Sequence, residues 1–216
     1  MTTFLIIRHG QSEANLESLF AGAGFDSPLT DLGRRQAACT AAYISENYRV
    51  DAVYASPLSR AHDTGAAIAE RFGLPVQTAY DFREIEAGDW ERLDFAGIAR
   101  RWPEEWDAWC HRISCGGCPG GEKAADVFAR VKNAMLGIAR KHDGETVVIA
   151  THATPTLGAQ CAAMGITGAE IDTVPFVPNA SVTKITCENG DLQLIEAGYA
   201  GHMGTMVTRL DDPNLK

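Results

Sequence analysis

Three short, uninterrupted apolar runs, Phe4 to Ile7, Ala52 to Ala55 and Val147 to Ala150, restrict the fold more than anything else in this chain. A strand that alternates apolar and polar residues can leave one side in water. One that is apolar at every position has to be covered on both faces, as strands of parallel sheets are. The segments between the runs follow the helical period instead. Thr30 can cap a helix running through Leu32, Ala37, Ala41 and Ile44, and Arg60 to Phe72 predicts a second, stopped by Gly73 and Pro75. A third is expected over Ala124 to Lys141, with apolar Val127, Val131, Leu136 and Ile138, before Gly144.

This alternation implies an α/β fold: a three-layer sandwich with a central, mostly parallel sheet and helices on both faces. Ser181 to Cys187 and Leu192 to Ala197, joined at Asn189-Gly190-Asp191, predict a hairpin at one edge. With 216 residues the whole of 1–216 is expected to be one domain rather than two. The stretch at about 90–121 breaks the pattern. It holds all four tryptophans and three of the six cysteines, and ends in Cys115-Gly116-Gly117-Cys118-Pro119-Gly120-Gly121. It is expected to be an inserted lid, the plainer alternative being a helical excursion that never touches a ligand.

In open α/β sheets ligands bind beyond the carboxyl ends of the strands, and the residues there are basic. Ile7 is followed by Arg8-His9-Gly10, Ala55 by Ser56-Pro57-Leu58-Ser59-Arg60, and Ala150 by Thr151-His152. The net charge of −9 argues against nucleic acid or an anionic membrane as partner, so this local cluster points to a small anion. Phosphate suits it: guanidinium forks give paired, charge-assisted hydrogen bonds, and the start of the helix carrying Arg60 adds positive potential. A cation is otherwise disfavoured in a first helical turn, which supports an anionic partner for Arg60. An imidazole in this setting can attack phosphorus if one ring nitrogen is kept unprotonated by holding the other as a donor.

Leu5-Ile6-Ile7-Arg8-His9-Gly10-Gln11-Ser12-Glu13-Ala14-Asn15 resembles the opening signature of the histidine phosphatase (phosphoglycerate mutase-like) superfamily. Ser56-Pro57-Leu58-Ser59-Arg60-Ala61 resembles its second arginine motif, and Arg83-Glu84-Ile85-Glu86-Ala87-Gly88-Asp89-Trp90-Glu91 the segment carrying its acid. Pro119-Gly120-Gly121-Glu122 and Ala150-Thr151-His152 follow in the family's order, and the likeness extends to Val177-Pro178-Asn179-Ala180-Ser181-Val182. The resemblance implies a metal-independent phosphomonoester hydrolase, without cofactor, that passes through a phosphohistidine and acts on a small phosphorylated metabolite. It implies that His9 accepts the phosphoryl group, that Arg8, Arg60 and His152 hold its oxygens, and that Gln11, Ser12, Asn15 and the Ala153 amide add substrate contacts. Glu84 becomes the general acid, protonated in the ground state, with a somewhat acidic optimum expected.

The chain departs from the family in two places. Ala153, Thr154 and Pro155 follow the second histidine where two glycines are common, and Ala21-Gly22 stands where many such phosphatases carry a glutamine. A cofactor-dependent phosphoglycerate mutase is the alternative enzyme. The Glu84 segment lacks the Glu-Arg-His-Tyr-Gly form of those mutases, and the chain is shorter than theirs. A noncatalytic phospholigand-binding module is the alternative outside enzymes. Glu122 can contact substrate or simply begin a helix. His62, His111, His142 and His202 read as surface or packing residues. Cys110, His111, Cys115 and Cys118 fit no familiar zinc spacing, so no metal site is expected. Trp102, Trp106 and Trp109 either close over a substrate group or pack the lid. No signal peptide is evident, so a cytoplasmic protein with reduced thiols is expected, with a homodimer as a possible assembly.

Overall fold

Phe4, Leu5, Ile6 and Ile7 are fully buried, and alternate residues enter two different cores, as a strand covered on both faces requires. The computed structural model describes residues 1–209; the remainder of the domain assigned to 1–216 lies outside the described residues. The strands are β1 (Thr2–Arg8), β2 (Ala52–Ala55), β3 (Val76–Thr78), β4 (Thr146–Thr151), β5 (Val182–Glu188) and β6 (Asp191–Tyr199). They form one six-stranded sheet in the order β3-β2-β4-β1-β5-β6. The first four in that order are mutually parallel, while β5 pairs antiparallel with both β1 and β6.

Among the described residues seven α-helices accompany them: α1 (Glu13–Leu16), α2 (Asp31–Asn47), α3 (Ser59–Phe72), α4 (Phe95–Arg101), α5 (Pro103–His111), α6 (Ala124–Ala139) and α7 (Ala153–Met164). On one face, Ala41, Ile44 and Ile68 of α2 and α3 pack on Leu5, Ile7, Val53 and Val148. On the other, Val127, Val131, Met135 and Leu157 of α6 and α7 pack on Phe4, Ile6, Val147 and Ile149. Each such side chain contributes roughly 1.5–3 kcal/mol by leaving water. The α/β sandwich expected from the sequence is the fold observed.

Local signals act where they were read. Thr30 Oγ1 accepts from the Gly33 amide at 3.0 Å and starts α2. Gly73 ends α3 in the left-handed conformation, at φ 64°. Asn189 and Gly190 both have positive φ, the geometry of a two-residue hairpin turn. Most boundaries move by one or two residues: β1 spans Thr2–Arg8, α3 begins at Ser59, α6 ends at Ala139, β4 spans Thr146–Thr151, β5 spans Val182–Glu188, and β6 starts at Asp191 and runs on to Tyr199. The unanticipated strand β3 is three residues long at the sheet edge, half-exposed at Val76 and exposed at Gln77 and Thr78, so it carries no apolar signature.

In the 90–121 stretch, the 3-10 turn Gly88–Trp90 brings Trp90, and α5 brings Trp106 and Trp109, into the core on the α6 and α7 side. Their rings meet edge to face, Trp90 lying 5.7 Å from Trp106 and 5.9 Å from Trp109. Among the described residues no helix is long and apolar enough to cross a membrane.

Candidate active site

The carboxyl ends of β1, β2 and β4 are level, because Arg8 pairs with Thr151 and Ala55 with Ala150. One further ladder bond carries two of the strands past their ends: the His9 amide donates to Thr151 O at 2.8 Å and the Ser56 amide to Ala150 O at 3.0 Å. His9, Ser56 and His152 therefore enter one space, with the two imidazole centroids 5.1 Å apart. Gly10 is required just after the first histidine, since a Cβ there would lie 2.4 Å from the Gly33 carbonyl oxygen.

His9 Nδ1 lies 2.7 Å from the Gly10 carbonyl oxygen. A carbonyl only accepts, so Nδ1 carries the ring proton and Nε2 keeps its lone pair. Burial above all, and then the charges of Arg60 and Arg8, hold this imidazole well below its usual pKa, outweighing the Gly10 bond, which favours the cation. The backbone around it is fixed as well. The His9 carbonyl accepts from Asn179 Nδ2 at 3.1 Å and from the Ala180 amide, also at 3.1 Å.

Arg8 and Arg60 are buried beside it. Arg8 Nη1 donates to Val177 O at 2.6 Å, while its Nε has no hydrogen-bond partner among the described residues. Arg60 is anchored by the loop after α1, donating to the carbonyls of Phe25, Ala21 and Gly22 at 3.0, 3.1 and 3.2 Å. The unusual Ala21-Gly22 thus holds an arginine through its backbone. Burial lowers both guanidinium pKa values, and the Glu84 charge opposes it. Arg8, pushed down to about 10, is still a cation at neutral pH.

His152 is fully buried, with Nε2 at 2.8 Å from Ser56 Oγ and Nδ1 without a partner among the described residues. Burial first and then the charge of Arg60 keep it neutral. Of the six buried side-chain nitrogens without a partner among the described residues, Arg8 Nε and His152 Nδ1 are the two that belong to this group of strand-end residues.

The Glu84 carboxylate closes the cleft at the start of α7. Its Oε1 accepts from the Ile85 amide at 2.9 Å, and its Oε2 from the Ala153 and Thr154 amides at 3.1 and 3.4 Å. The Ala153 amide is therefore bonded to Glu84 here. The Glu84 backbone is held from behind by Arg130 of α6, a residue the sequence did not single out. Arg130 donates to the carbonyls of Arg83 and Glu84 at 2.9 and 3.1 Å, and its fork meets both oxygens of Glu122 at 3.1 Å. Glu122 in turn accepts from the Glu86 amide at 3.0 Å. Of its two readings, substrate contact or helix start, the structure supports neither: it braces the acid segment and does not line the cleft. A Cβ on Gly121 would lie 2.0 Å from Glu86 O, so the glycine turn lets the two segments touch.

Asn15 and Ser12 line the cleft, but they also cap α1: Ser12 Oγ accepts from the Asn15 amide, and Asn15 Oδ1 from the Ser12 amide. Asn179 Nδ2 donates to Asn15 Oδ1 at 3.2 Å, linking Asn15 to His9. Gln11 is not brought into the cleft; its Oε1 accepts from Thr30 Oγ1 at 2.9 Å, a contact that draws it toward the start of α2. Of Trp102, Trp106 and Trp109, Trp109 lines the cleft while Trp102 and Trp106 do not.

The remaining histidines lie elsewhere. His142 bonds Tyr54 and Glu145, His202 stacks on Tyr43, and His62 and His111 face surface aspartates. Cys118 is buried and Cys115 exposed, and among the described residues no three His, Cys, Asp or Glu side chains gather as a metal cluster.

The sequence model of the histidine phosphatase superfamily (branch 1) matches residues 4–198. Phosphoserine phosphatase 1 of Hydrogenobacter thermophilus is 28% identical over 208 residues, covering 94% of this chain and 95% of its own length. The bifunctional protein Rv2228c of Mycobacterium tuberculosis is 36% identical over 154 residues, which are 71% of this chain but only 42% of that protein. The chain thus spans less than half of that longer relative. Among solved structures, YhfR of Bacillus stearothermophilus superposes with a TM-score of 0.88 at 28% identity, covering 94% of this chain and all of the other.

Proposed function

Because this chain belongs to branch 1 of the histidine phosphatase superfamily, we propose that it is a phosphatase, hydrolysing phosphomonoesters of small metabolites through phospho-His9 and without a metal ion. The observation that carries the reading is the His9 Nδ1 contact with Gly10 O at 2.7 Å, which leaves a neutral Nε2 lone pair beside two buried guanidinium groups.

In the first transfer, Nε2 forms a bond to phosphorus as the ester P–O bond breaks, and Glu84, entering as the acid, gives its proton to the departing alkoxide. In the second, the Glu84 carboxylate takes a proton from water, the oxygen attacks phosphorus, and the P–N bond breaks to restore neutral His9 and release inorganic phosphate. Arg8 and Arg60 supply the charge stabilisation that metal ions give in other phosphoryl-transfer sites. Ser56 accepts from the Leu58 amide at 3.3 Å, so its hydroxyl hydrogen is free to point at His152 Nε2. With that hydrogen pointed at Nε2, His152 would carry its ring proton on Nδ1 and donate it to a phosphoryl oxygen.

The test is steady-state turnover of phosphomonoesters in the presence of a chelator, wild type against His9→Ala. Phosphate release that survives chelation and disappears in the variant is expected. Activity restored only by a divalent ion would overturn the proposal.

A further inference from the structure

The cleft has two chemically distinct ends. Its only cations among the described residues, Arg8 and Arg60, stand at the phosphoryl end with His9 and Glu84. The remainder of the wall is largely apolar: Leu19, Phe20, Phe95, Trp109 and Phe176. Phe20 meets Trp109 at 5.3 Å between centroids and Phe95 at 6.4 Å, both edge to face. Behind them, Trp90 meets Phe20 at 5.4 Å and Trp106 stacks on Phe95 at 5.5 Å. This wall is held by a second layer of rings, which lowers the cost of ordering it around a ligand.

From this asymmetry we infer that the site selects phosphomonoesters whose alcohol part is aromatic or aliphatic and uncharged, and discriminates against esters carrying a carboxylate or a second phosphate. The inference rests on the hydrolase reading above. A second anionic group projecting from the phosphoryl end would meet aromatic rings and no cation. It would lose water without gaining a charged partner. An uncharged ring or chain in the same place buries apolar surface against Trp109, Phe20 and Phe176. Ser12 Oγ and Asn15 Oδ1 are engaged in capping α1, and Thr154 is the other uncharged polar residue of the wall.

The experiment compares 2-(2-naphthyl)ethyl phosphate, an alkyl ester like the other two, with 3-phosphoglycerate and phosphoserine, by kcat/KM with a chelator present and by calorimetric binding to the His9→Ala variant. An advantage of about 30-fold or more for the naphthyl ester is expected in kcat/KM, and the same ranking in binding. Phe176→Ala should cut that advantage by about 10-fold. Leu19→Arg, a half-buried position from which a guanidinium can reach the cleft, should raise affinity for 3-phosphoglycerate by about 10-fold. Trp109→Ala is avoided because that ring also supports the fold. Equal or better turnover of 3-phosphoglycerate through phospho-His9 would overturn the substrate inference and leave the hydrolase reading standing. Naphthyl-selective binding with no turnover of any ester would do the reverse.

Discussion

Replacing Arg130 with Met tests whether the acid segment is held from outside the cleft. The Arg130 and Glu122 side chains are 15% and 19% exposed, so the ion pair is largely but not fully desolvated. Breaking a fully buried pair costs about 3–5 kcal/mol, and partial exposure places this one lower, at about 2–3 kcal/mol. For a domain of this size that is a fall in Tm of about 4–12 °C. The effect on turnover is separate. Arg130 touches no cleft residue except through the Arg83 and Glu84 carbonyls, and a displacement of Glu84 by about 1 Å costs up to about 100-fold. Arg130→Met should therefore lower kcat by about 10- to 100-fold while KM moves less than about 3-fold, since the arginine clamp is untouched. The loss should be large for alkyl phosphates and small for p-nitrophenyl phosphate, whose leaving group departs without a proton. Arg130→Lys should recover part of the stability but not the paired fork. Thermal unfolding and steady-state kinetics on both ester types are the assays. A Tm within about 1 °C of wild type, or a loss expressed in KM and equal for both ester types, would refute the reasoning.

Two further outcomes follow from the geometry. Ser56→Ala removes the partner of His152 Nε2 and frees the ring to adopt the other tautomer; kcat/KM should fall about 10-fold with little change in Tm, and an unaltered kcat/KM would show that the serine does not set the proton's position. His9 and His152 have folded pKa values below the unfolded value of about 6.5, so the unfolded chain binds more protons as pH falls through that range. Their contribution is complete above about pH 6.5 and is lost on acidification toward the folded values, at roughly 1 kcal/mol each between pH 7.5 and 5.5. Urea denaturation at those two pH values should show the decline, and His9→Asn should make it shallower; equal stability at both would mean the imidazoles are not buried neutral.

What the sequence made legible is what short-range chemistry encodes. Phe4 to Ile7 announces a doubly covered strand because every residue is apolar, and β3 is silent because a three-residue edge strand, half-exposed at Val76 and exposed at Gln77 and Thr78, has no such requirement. The parallel register then brings the basic strand ends together without further information, which is why Arg8, His9, Arg60 and His152 were readable from motifs alone. The long-range partners were not. Arg130 looks like any charge on an amphipathic helix until α6 is laid beside the Glu84 segment, 46 residues away. Ser56 and His152 are 96 positions apart, and Asn179 reaches His9 across 170. The tryptophans were conspicuous in composition, but only packing separates Trp109, which faces the cleft, from Trp106, which lies behind it. Gln11 shares its motif with residues that do line the cleft, and a single side-chain contact to Thr30 draws it away.

The central claim is that His9 Nε2 carries the phosphoryl group between ester and water. Its most direct test is a rapid quench into strong base, in which a phosphoramidate survives, of enzyme mixed with a phosphorus-labelled aryl phosphate in the presence of a chelator, followed by peptide mapping. The account predicts label approaching one phosphoryl group per chain, confined to the peptide containing His9 and absent from His9→Ala. Rapid turnover with no trapped phosphoenzyme, or label on any other residue, would contradict it.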